Sequence, residues 1–138
     1  MSGRAAVLLV VLACTGCGGD DNDESLPADT RCEPATSAIM TPLGNALRSD
    51  RDRLENGQIV KSRDHNDIWF VSAELQGPGL TEPGDIGTWA TTSPGGAEAI
   101  YSVDDIAKDH TTWRDGTAIA GLSIEDDGAE ESRECVSG

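Results

Sequence analysis

Aromatic side chains are scarce in this chain: one Phe, one Tyr and three Trp among 138 residues. Each ring buries about 150–250 Å² in a core, so so few rings leave none to spare for an exposed stacking platform. Trp69, Trp89, Tyr101 and Trp113 are therefore expected inside the fold. Cations are scarce as well, with 10 Lys and Arg against 25 Asp and Glu. Arg4 lies in the leader, so the remainder carries nine cations against 25 acids, a net charge of −16. A field of that sign repels nucleic acid and anionic lipid, which excludes nucleic acid as a partner. Histidine is limited to His65, beside Asp64 and Asp67, and His110, beside Asp109. A general base with an orienting acid has that composition. His65, however, falls in an expected turn, and His110 closes a short helix, where a cation complements the dipole. No Ser or Cys stands in a nucleophile motif, and "GPG" at 77–79 lacks the phosphate-loop pattern. No catalytic residue, metal-ligand set or cofactor is assigned.

Long hydrophobic runs are missing too. The apolar stretch "AAVLLVVLA" covers residues 5–13, about 14 Å of helix against a hydrocarbon core of roughly 30 Å. Preceded by Arg4 and followed by small residues, it has the anatomy of an export signal over residues 1–16. The signal ends in "CTGC", which looks like a bacterial lipobox, where the thiol is acylated and becomes the first residue of the processed protein. Cys17, with Thr15 and Gly16 before it, is the expected lipidation site. Cys14, with "VLA" before it, is the alternative. A redox or metal role for the Cys14–Cys17 spacing would need a helix after a buried strand, or further ligands nearby, and the sequence has neither there. The membrane is thus an expected partner through the N-terminal lipid, on the extracytoplasmic side.

From residue 17 to 34 the chain is acidic and nearly free of apolar side chains, the composition of a flexible tether. Residues 35–138 read as a single domain. Ala35, Ala38, Ile39, Leu43, Ala46, Leu47 and Leu54 recur at helical spacing. Thr41 and Pro42 suit a cap and first position, so a helix is predicted from about 42 to 55, ended by Asn56 and Gly57. The period then changes to two. "QIVKSRD" (58–64) and "IWFVSAEL" (68–75) read as paired strands, with Trp69, Val71, Ala73 and Leu75 on one face and Ile68 and Phe70 on the other. "IGTWATT" (86–92) and "AEAIYSV" (97–103) form a second pair. Asp104 can cap a short helix, and Asp127 with Glu130 reads as a capping box for a last one. The expected fold is α+β: an N-terminal helix on a four-stranded antiparallel meander, with a short C-terminal helix.

The order "IWFVSAEL", "GTWA", "IYSVDDIA" and "DDGAEESREC" resembles a group of small actinobacterial secreted lipoproteins of unknown function. The resemblance implies a compartment and a fold, and no catalytic role.

One acidic stretch, "SIEDDGAEESRE" (123–134), places Glu125, Asp127, Gly128 and Glu134 at EF-hand spacing. Ser123 stands where the first carboxylate belongs and Glu130 where an apolar residue belongs, so acids gathered at a helix N-terminus are the simpler account. Once Cys17 is acylated, two thiols remain, and export places them where oxidation is allowed. A Cys32–Cys135 disulfide is the expectation. Together these features predict a lipid-anchored, monomeric module that binds an envelope protein or peptide, with a cell-envelope hydrolase or a calcium-dependent protein as the alternative.

Overall fold

The computed structural model describes residues 31–78, 80, 85–95 and 99–138. Both lipobox candidates, Cys14 and Cys17, lie outside them. The described chain builds a six-stranded sheet whose strands follow their order in sequence: β1 (Glu33–Pro34), β2 (Arg53–Lys61), β3 (Trp69–Gln76), β4 (Ile86–Thr91), β5 (Ile100–Ser102) and β6 (Arg114–Asp115). The first five pair antiparallel and β6 runs parallel to β5. The helices are α1 (Ser37–Asn45), α2 (Asp105–His110), α3 (Gly116–Ala120) and α4 (Ala129–Ser137).

The class is α+β, but the architecture corrects the expected helix on a four-stranded antiparallel meander. Two strands of only two residues each, β1 and β6, extend the sheet at its edges. A strand that short shows no alternation, so nothing in the residue pattern marks it. The parallel pairing follows from α2, which carries the chain back between β5 and β6. Residues 31–34, the end of the stretch read as a tether, belong to the fold through β1 and the contacts of Arg31.

The first helix also sits elsewhere than predicted. It starts after Thr36, which has extended backbone, and holds Pro42 as its sixth residue. Its first turn closes on the Thr36 carbonyl, which accepts from the Ile39 and Met40 amides. It ends at Asn45, and Leu54 falls in β2. Asn56 and Gly57, expected to end a helix, instead form a bulge in β2: the register shifts between Glu55 and Gln58, and Asn56 takes a left-handed φ of 54°.

Strand β3 is central, and both its faces are covered. Trp69, Val71, Ala73 and Leu75 share one face, where Val71, Ala73 and Leu75 join Ile39 and Leu43 of α1, Ile59, Trp89, Ile100 and Ala107 of α2 in the larger core. Phe70 lies on the other face with Ala90, Val103, Leu122 and Ala129 of α4, and Ile68 packs at its margin. The strand pairs match these faces, since Val71 stands opposite Ile59 and Trp89, and Phe70 opposite Val60 and Ala90. One-sided burial would leave the polar partners of alternation on the second face. Here they form a buried hydroxyl chain instead, with Ser72 Oγ 2.9 Å from Thr88 Oγ1 and 2.7 Å from Ser132 Oγ of α4.

Candidate functional site

A polar cluster surrounds Arg31, the first described residue of the domain. Cys32 and Cys135 are joined as a disulfide with their α-carbons 5.9 Å apart, closing a sequence separation of 103 residues. Beside it Arg31 makes a fork: its Nη2 donates to Asp127 at 2.9 Å and to Glu131 at 2.6 Å, and its Nη1 donates to the Lys61 carbonyl at 2.6 Å. The Arg31 amide adds a bond to Glu131 at 3.1 Å. Guanidinium geometry suits such two-carboxylate recognition. Asp127 is occupied further by the Arg63 amide at 2.7 Å, and its own amide donates to Asp64 at 2.7 Å. The expected capping box therefore does not form. Gly128 caps α4, with no side-chain bond, because Asp127 is turned toward Arg31 and Arg63.

This arrangement gives the aspartates of the calcium spacing other partners. Asp127 is neutralised by Arg31, Glu125 and Glu134 are exposed, and Asp126 faces His65. Among the described residues no three His, Cys, Asp or Glu groups gather to hold a metal ion.

Each histidine meets an aspartate far away in sequence. His65 Nε2 lies 3.0 Å from Asp126 Oδ2, and His110 Nδ1 lies 3.8 Å from Asp52 Oδ2. The neighbours that the sequence suggested, Asp64, Asp67 and Asp109, are not these partners. The Asp52 side chain is 5% exposed, and its Oδ1 has no hydrogen-bond partner among the described residues. It abuts Gly77, where any Cβ would overlap it. Among the described residues neither imidazole is hydrogen-bonded to a hydroxyl or thiol, so neither His–Asp pair is joined to a side-chain nucleophile.

A second ion pair crosses the α4 face. Arg133 donates to Asp104, to the Ile86 carbonyl at 3.2 Å and to Thr88 Oγ1 at 3.3 Å. Asp104 also caps α2 by accepting from the Ala107 amide at 2.8 Å. Burial pushes its carboxyl above the usual range, and the Ala107 and Thr88 amides and Arg133 offset this only in part.

The aromatic residues do not assemble into a platform. Trp89 is fully buried and donates from Nε1 to Thr111 Oγ1 at 3.1 Å. Trp69 and Trp113 pack at the margin of the same core, Trp69 with Lys61 Nζ 5.3 Å from its ring centre, while Tyr101 packs on the opposite face.

No family model matches the chain, and no curated protein or solved structure matches it.

Proposed function

We propose that this chain is an exported lipoprotein, acylated at Cys17, whose domain acts as a binding module at the extracytoplasmic face of the membrane. The observation that carries the reading is the disulfide of Cys32 with Cys135. Structural disulfides persist in oxidising compartments, and a leader ending at a cysteine supplies both the route and the anchor. Between Cys17 and Arg31 the chain reaches no more than about 50 Å even when fully extended, so the anchor would keep the module close to the bilayer surface. Several acyl chains on one cysteine suffice for stable attachment where one would not. The partner is an envelope protein or peptide. Among the described residues neither imidazole is hydrogen-bonded to a hydroxyl or thiol, so no Ser–His or Cys–His pair supports the hydrolase alternative.

Mass spectrometry of the protein extracted from membranes tests the reading. The expected result is an N-terminal fragment that begins at acylated Cys17, with Cys17→Ala shifting the protein out of the membrane fraction. An unmodified fragment beginning elsewhere, with the variant distributed like the parent, contradicts it.

A further inference from the structure

We propose that α4 is a redox latch, docked on the sheet while the Cys32–Cys135 bond is closed and released from an otherwise folded domain when that bond is reduced. The inference concerns residues 31–138 alone and does not depend on the lipid anchor.

Intrinsic forces hold α4 weakly. It has nine residues, below the length at which an isolated helix persists in water. It starts at Gly128, whose φ is 96°, without a side-chain cap, and its last turn has no basic residue. The side chains it buries are small: Ala129, Ser132 and Val136. Its remaining ties are polar: Ser132 to Ser72, Arg133 to Asp104, Thr88 Oγ1 and the Ile86 carbonyl, Glu131 to Arg31, and the Val136 carbonyl accepting from Asn56 at 3.0 Å. The nine-residue core on the opposite face draws on α1, α2 and strands β2 to β5, and contains no residue of α4. That core survives the departure of α4, whereas the smaller cluster of Phe70, Ala90, Val103 and Leu122 loses its cover. The covalent bond is thus the strongest tie between α4 and the rest of the chain.

Both cysteines are half-buried. A dithiol reductant attacks one sulfur as thiolate, breaking the Cys32–Cys135 bond and forming a mixed disulfide. Its second thiol then displaces the protein sulfur. Two protein thiols result, and the reductant leaves as its own disulfide, so two electrons and two protons have passed to the protein. In an envelope the reductant would be a dithiol oxidoreductase, and dithiothreitol stands in for it in the test.

Backbone amide exchange of the full chain, with and without dithiothreitol, reads the latch. Exchange over residues 129–137 should rise on the order of 100-fold on reduction, with the β3 and β4 amides changing little. Cys32→Ser/Cys135→Ser should match the reduced protein without reductant. Arg31→Ala, oxidised, should keep α4 protected, since it removes the ionic fork and leaves the covalent tie. The proposal is overturned if α4 stays protected after reduction. Loss of β3 and β4 protection together with α4 also overturns it, by making the bond a staple of the whole domain. Release of α4 by Arg31→Ala alone overturns it as well, since the fork would then be the latch.

Discussion

Asp104 and Asp127 are pushed in opposite directions by one chain. For Asp104 desolvation dominates and its carboxyl is raised, so its contribution to stability is full below the ordinary carboxylate range and is lost as pH rises through the raised value. For Asp127 desolvation is also the largest single influence, yet the Arg63 amide and the Arg31 guanidinium together outweigh it and the carboxyl is lowered. Its contribution is present above the ordinary value of about 4 and is lost as pH falls through the depressed one. Asp127→Asn should therefore cost stability at neutral pH, by less than about 1 kcal/mol because the pair is partly solvated. Urea midpoints of the variant and the parent should differ at pH 7 and converge toward pH 2. A gap that widens on acidification would contradict the assignment.

At the scale of elements, glycines mark where the backbone has no alternative. Gly128 turns the chain into α4 with a left-handed φ of 96°, and a Cβ there would lie 3.3 Å from Phe70 Cδ2. Gly44, inside α1, has nothing within 4 Å of the same added atom. Thermal melts should separate the two: Gly128→Ala loses about 1–3 kcal/mol through strain, whereas Gly44→Ala gains about 0.5–1 kcal/mol through helix propensity. A loss at both positions would contradict the backbone described for α1. What the sequence made legible follows the same boundary between local and distant causes. The alternation of Trp69, Val71, Ala73 and Leu75 is a local signal, and β3 stands where it predicts. Asn56 and Gly57 are equally good signals for a helix end and for a bulge, and only the pairing of β2 with β3 decides between them. Asp127 was a plausible cap by spacing, but its partner Arg31 is 96 residues away. Asp52 and His110 meet only because α2 returns the chain to the loop before β2, a juxtaposition that no motif encodes.

For the whole molecule the charge imbalance is the governing quantity. Residues 31–138 hold nine Lys and Arg against 20 Asp and Glu, a net charge of −11. Self-repulsion of that size opposes compaction, and salt screens it over a length of about 10 Å at 0.1 M. Raising sodium chloride from 10 to 300 mM should lift the Tm by a few degrees, as a scanning calorimeter would record, which corresponds to roughly 1 kcal/mol for a domain of this size. A fall in Tm would mean that the Arg31 and Arg133 pairs outweigh the repulsion.

The sheet runs β1 to β6 in the order of the chain, and apart from β1 and β6 each strand pairs with both of its neighbours in sequence. A polypeptide delivered N-terminus first can therefore lay down β2, β3 and β4 one against the next as each segment emerges, with short loops to close and little waiting for distant partners. Arg31 and Cys32 are the first of the described residues to appear and must wait longest, because Asp127, Glu131 and Cys135 arrive last. Synthesis order thus makes the final dozen residues the step that completes the domain. A chain stopped short of Asp127 would present the Phe70 face of its sheet without a cover, while its opposite core stood fully assembled.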